Sequence, residues 1–197
     1  MPSCTWAIST REPAAIYPPS GGTPLPTPRP VIDTSLVKDR RPVRFETIEQ
    51  ALVDAQAISV AANDGRLKRL GNWSAGQAFG HVAAWINFAF DGYPGSPPPE
   101  FAAAARARRD DVLQKGMISG VRFGPVAPEG TWGTDDLLLA DGLNRLRNAW
   151  ARLRRSSPEV EHPFFGDLSH SDWIRLNLRH AELHQGFFVI IGIGERR

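Results

Sequence analysis

Cysteine, histidine and long apolar runs are all scarce in this chain. Of 197 residues one is cysteine and five are histidine. A lone Cys4 cannot close an intramolecular disulfide, so nothing demands an oxidising compartment, and a cytoplasmic location is expected. No serine stands in a Gly-x-Ser-x-Gly elbow, and there is neither a P-loop nor a Gly-x-Gly-x-x-Gly fingerprint. Acyl-enzyme chemistry and phosphate cradling therefore have no recognisable seat. An excess of one charge is missing too. Twenty-three basic residues against 21 acidic ones leave +2, too balanced for a protein that lives on nucleic acid. The longest uncharged stretch, Leu70 to Phe90, has the length of a membrane span. It is interrupted by Asn72, Ser74, Gln77, His81 and Asn87, and reads as a buried helix.

Proline is plentiful, but unevenly so. Eight of the 17 prolines fall in the first 30 residues, where they remove backbone donors and push their neighbours toward extended conformations. That segment lacks the basic start and the apolar run of a signal peptide. Residues 1–30 are read as a proline-rich, disordered extension and residues 31–197 as the folded domain.

The domain shows helical periodicity. Phe45, Ile48, Leu52, Ala55, Ile58 and Ala62 form one face of a first helix within 44–62, ended by Asn63-Asp64-Gly65. Ser74 and Gln77 form a capping-box pattern opening a second helix that runs to Phe90. A long connection, 91–133, is expected to hold a helix over 100–115. A third main helix over 135–155 carries the stripe Leu139, Leu143, Leu146, Trp150 and Leu153. Its arginines form a solvated face helped by an Asp141–Arg145 pair. The last helix is capped by Ser169 and continues through Trp173, Leu176, His180 and Phe187 to Ile191. No strand-like alternation of useful length is seen. The expected class is all-α: a four-helix bundle with a long crossover segment between the second and third helices.

The histidines carry the chemistry. His180 and His184, at i and i+4, sit about 40° apart on one helix face, so two imidazoles can converge on one ion. They lie on the most apolar side, with Trp173, where an unpartnered polar group costs about 1–3 kcal/mol. On the second helix His81 lies among Gln77, Trp85 and Phe88, with small residues (Gly76, Gly80, Ala83, Ala84) that allow a close neighbour. Facing the pair, it would complete a three-imidazole centre with room for water or substrate. The rival reading is a set of core histidines satisfied by hydrogen bonds. Glu182 falls about 200° from His180, hence outward, and Ala181 stands where a zinc peptidase carries its glutamate. His162 and His170 are read as loop histidines. Gln77 would either orient a bound group or serve the cap.

Several motifs together resemble the DinB/YfiT-like superfamily of bacterial four-helix metalloproteins, in a branch of unknown function. They are Gly71-Asn72-Trp73-Ser74 through Gln77 to His81, then Asp91-Gly92 with Pro94, then His162-Pro163-Phe164-Phe165-Gly166, and finally His180-Ala181-Glu182-Leu183-His184. The resemblance spans about Val31 to Phe188. It implies a divalent metal ion (zinc, nickel or iron-like) on His81, His180 and His184, and a homodimer, as is frequent in the superfamily. Some members are transferases and isomerases that use low-molecular-weight thiols. The function expected is therefore a metal-dependent enzyme that acts on a small molecule through a metal-activated water or thiol, with no catalytic residue named. The alternative is a non-catalytic bundle whose metal is structural or sensory and which binds a partner.

Overall fold

Four long helices supply the frame, and the local chemistry of each end is visible in the computed structural model, which describes residues 30–121 and 132–192. The proline-rich segment 1–30 lies, Pro30 apart, outside the described residues. Helix α1 (Ile48–Asn63) starts at Thr47, whose hydroxyl accepts from the Gln50 amide while the Gln50 side chain reaches back. Strand β1 (Leu67–Arg69) precedes α2 (Ala75–Asp91), capped by Ser74, whose hydroxyl accepts from Gln77 N at 3.1 Å. Helices α3 (Pro99–Ala107) and α4 (Arg109–Lys115) occupy the connection. Helix α5 (Leu139–Arg155), α6 (His170–Gln185) and strand β2 (Phe188–Ile190) complete the described order. Ser169 caps α6 by accepting from Asp172 N. The structure is thus mostly helical, as the all-α class requires.

The apolar stripe of α5 is buried along Leu143, Leu146, Trp150 and Leu153, against α2 residues such as Phe79, Val82 and Ile86. Each such side chain contributes about 1.5–3 kcal/mol through burial. The closest approach is between glycines. A Cβ added at Gly142 would lie 2.1 Å from the Gly76 carbonyl oxygen. The small residues of α2 therefore admit α5, and α2 also meets α6.

Four sequence expectations are corrected here. The last helix stops at Gln185 rather than Ile191. Residues 188–190 instead pair antiparallel with β1, Leu67 opposite Ile190 and Arg69 opposite Phe188. A Phe-Phe-Val-Ile-Ile run satisfies helical spacing at 187 and 191, but its aromatic and β-branched residues suit a strand once a partner edge is present. The helix expected over 100–115 is broken at Arg108, which leaves helical geometry (φ −106°, ψ 9°). The third long helix begins at Leu139, not Asp135, after an extended Leu138 (ψ 149°). Arg145 pairs with Asp135 at 3.1 Å, not with Asp141. Three other arginines of that face find acidic or amide partners on neighbouring helices, Arg147 with Gln56, Arg152 with Asp91 and Arg154 with Glu49.

The N-terminal lead into α1 is held by a residue that periodicity cannot single out. Arg41 grips both oxygens of Asp54 at 2.8 Å and also donates to the Gln185 and Phe188 carbonyls. That fork ties α1 to the end of α6. Among the described residues no helix is long and apolar enough to cross a membrane.

Candidate metal centre

His81 rises from the middle of α2, and His180 and His184 from the last two turns of α6. All three rings turn inward, where the two helices meet. His180 Nε2 lies 3.1 Å from His81 Nε2 and 3.0 Å from His184 Nε2. The three ligand atoms fall within 4.8 Å of one another. His81 and His180 are 2% and 9% exposed, and His184 is half-buried.

The protons on these rings are constrained by their other edges. His81 Nδ1 lies 3.0 Å from the Trp132 carbonyl, which only accepts, so Nδ1 carries the proton and Nε2 offers its lone pair. The same carbonyl accepts from Trp85 Nε1 at 3.2 Å. Trp132 can come this close because Gly133, at φ +76°, packs where a Cβ would lie 2.6 Å from Ala84 Cβ. Trp73 covers the cluster. Its ring stacks on His184 with centroids 5.1 Å apart, and lies tilted at 4.7 Å from His81.

Burial disfavours the imidazolium form throughout. His81 and His184 are pushed well below the ordinary histidine value by desolvation, with the neighbouring His180 adding repulsion. Desolvation takes His180 down to about 4. At neutral pH the cluster is three uncharged imidazoles with their Nε2 atoms facing one another.

That donor set fits a divalent ion. Neutral imidazole nitrogen suits zinc, nickel, copper and iron. A tetrahedral ion with bonds of about 2.1 Å would space neighbouring nitrogens by about 3.4 Å, a few tenths of an ångström wider than the separations seen. The Trp132 carbonyl on His81 is the kind of outer contact that orients ligating histidines. Three protein nitrogens would leave a further coordination position free.

Beside the cluster lies a cavity of about 380 Å³. The histidines form part of its wall, with Trp73, Trp85, Phe164 and Leu183 and the inward side of α3 and α4. His162, expected to be a loop histidine, is another wall residue and is buried at 5% exposure. It sits in a tight turn closed by reciprocal 2.9 Å backbone bonds with Gly166. Its Nδ1 accepts from the Phe164 and Phe165 amides at 3.1 and 3.3 Å. Burial, and then the proximity of His180, push it down to about 3.

Other sequence expectations separate here. His170 stays away from the cluster, its Nε2 donating to the Leu153 carbonyl at 2.6 Å. The Gln77 side chain reaches the Thr134 carbonyl at 3.2 Å, helping to hold the lead into α5. Glu182 does point away from the histidines, but it is not solvated as expected. Its side chain is 9% exposed, accepts from Phe45 N at 2.6 Å and pairs with buried Arg179 at 3.0 Å. The first helix's lead folds over that face, which a helical wheel drawn for α6 alone does not include. Periodicity does not single out Trp73, Trp132 or His162 as neighbours of the cluster. Trp73, immediately before the Ser74 cap, and His162 stand only in the quoted motifs, and Trp132 has no signal in the sequence.

The described chain is a mostly helical protein with a buried three-histidine cluster beside a cavity. Over residues 37–190 it matches the family described as "Protein of unknown function (DUF1569)", and it belongs to that family. Neither a curated protein nor a solved structure matches it.

Proposed function

We propose that the protein is a divalent-metal-binding member of the DinB/YfiT-like superfamily and acts as a metal-dependent enzyme on a small molecule. In this reading α1, α2, α5 and α6 are the superfamily's four-helix bundle, and 92–138 is the crossover. The observation that carries it is the convergence of the Nε2 atoms of His81 and His184 on that of His180, at 3.1 and 3.0 Å, with all three within 4.8 Å of one another. Three neutral imidazoles whose Nε2 atoms face one another can turn three lone pairs to a shared cation, which they cannot all satisfy by hydrogen-bonding one another.

A divalent ion held there would lower the pKa of a coordinated water or thiol and so provide a nucleophile at neutral pH. The chain's own contributions are distinct. Trp132, through its carbonyl, keeps His81 in the Nδ1–H tautomer. Trp73 and Trp85 exclude water from the ring edges, and low dielectric keeps all three imidazoles unprotonated. The adjoining cavity favours catalysis over a purely structural ion, because a closed structural site needs no space for a second molecule.

The test is metal analysis of the full chain purified without a polyhistidine tag, paired with thermal melting before and after chelation. Near-stoichiometric metal, lost in His180→Ala and His184→Ala, supports the centre. No metal at neutral pH, with a melt indifferent to chelator, sinks it. Activity is then sought with low-molecular-weight thiols plus electrophiles and, separately, with esters and amides. Silence in both assays at full metal occupancy favours a structural or sensory ion.

A further inference from the structure

The cavity is specific about polarity. Its wall is built from Trp73, Trp85, Phe101, Ile118, Phe164 and Leu183, among others, and its size falls within the range of about 300–1,000 Å³ usual for small-molecule sites. Arg108 is the sole charged side chain among the described lining residues outside the histidines, and it stands exposed at the α3–α4 break. Asn177 spends its amide nitrogen on the Trp173 carbonyl at 2.9 Å. A sugar- or peptide-sized polar ligand would leave its hydroxyls and amides unpaired against these walls.

His162 supplies a fixed donor in this wall. Backbone amides only donate, so the two that bind His162 Nδ1 require that nitrogen to be a lone pair. In the neutral ring the proton is then on Nε2. Around this ring other donors lack acceptors. Trp173, also in the cavity wall, has its ring centroid 5.3 Å from that of His162, and Tyr93 packs at 5.7 Å. The Trp173 indole N–H and the Tyr93 hydroxyl are both buried without a hydrogen-bond partner. Buried donors without acceptors are costly, and beside these two His162, a residue of the cavity wall, holds an Nε2–H that a bound acceptor oxygen could meet.

We infer that the cavity takes a small molecule with an apolar body and one carbonyl-type oxygen, and that His162 Nε2–H donates to that oxygen. This deepens the enzyme reading above and rests on it for the chemistry, though not for the binding. His162 is then a substrate-orienting group: the body lies along Trp73 and Trp85, and the oxygen is held beside the three-histidine centre.

The test uses the full chain with its metal content measured, and two probes of equal shape, 1-acetylnaphthalene and 1-ethylnaphthalene, titrated by tryptophan fluorescence. His162→Asn keeps an acceptor near the Nδ1 position for the two amides but has no group at Nε2. It should weaken the ketone about threefold to tenfold, the range of one hydrogen bond, and leave the hydrocarbon within about twofold. Equal effects on both probes, or none, overturn the role of His162. In the unmutated chain, the infrared carbonyl stretch of bound 1-acetylnaphthalene should lie below its value in cyclohexane, with or without chelator. A stretch at the cyclohexane value overturns the inference even if the variant fails to fold. A shifted stretch in protein that holds no metal would defeat the metal reading and leave this one standing. Stoichiometric zinc with neither probe bound would do the reverse.

Discussion

The carbonyl of Trp132 and the Nδ1 of His81 are 3.0 Å apart, and this contact decides which edge of the ring faces the two histidines of α6. It depends on Gly133, which supplies both the positive φ and the absence of a Cβ beside Ala84. Gly133→Ala should displace the carbonyl while leaving all three imidazoles in place. Loss of an outer-shell contact typically costs tenfold to a hundredfold in metal affinity, so a drop of about that size is expected in chelator competition. Unchanged affinity would mean that Trp132 plays no part in setting the ligand.

Acid should unfold the metal-free protein from an unusually high pH. His162 and His180 are held near 3 and 4, against about 6.5 in an unfolded chain. Between those values the unfolded state binds protons that the folded state refuses. Stability from this source is complete above about pH 7 and declines as pH falls through 6.5 toward 4. The limiting slope is about 1.4 kcal/mol per pH unit for each histidine. Urea unfolding at pH 7.5, 6 and 5 checks this; equal stability at all three would contradict it.

Arg179 is 1% exposed, and its Nη2 meets Glu182 and the Phe45 carbonyl while its Nε and Nη1 are buried without a hydrogen-bond partner. Removing one partner of a buried pair leaves the other charge stranded, at about 3–5 kcal/mol. Glu182→Ala should therefore lower unfolding free energy by that order. Glu182→Gln, which still accepts from Phe45 N, should cost less. Denaturant titration of the two variants would show the difference, and equal, negligible losses would argue against the pair's structural role.

Gly142→Ala sets two effects against each other. Alanine gains about 1 kcal/mol of helix propensity over glycine. Its Cβ, however, would sit 2.1 Å from a backbone oxygen of α2, and neither helix can yield by turning a side chain. The clash should win, with a net loss of about 1–3 kcal/mol and a lower melting temperature. A stabilised variant would show that α2 and α5 pack less closely than described here.

The parts of this fold legible in the sequence are those whose cause is local. Ser74 and Ser169 announce their helices because a hydroxyl three residues before a free amide needs nothing else. Leu143, Leu146, Trp150 and Leu153 declare the inner side of α5 by spacing alone. His180 and His184 could be placed on one face by the same arithmetic, and His81 by its apolar neighbours. What escaped depends on partners distant in the chain. Val189 becomes a strand residue because Lys68 is opposite, and Glu182 is covered because Phe45 folds over it. Trp132 and His162 come from segments without a period, so nothing in their spacing revealed that they border the histidines.

His81 and His180 are 99 residues apart in sequence, yet their rings are neighbours. A growing chain presents His81 long before either partner has been synthesised, and closing so long a loop precedes any gain from the contact. An ion that requires all three nitrogens would thus bind firmly only after α6 has docked. Metal retention would then report that α6 has docked, because the first ligand and the last two come from opposite halves of the folded sequence.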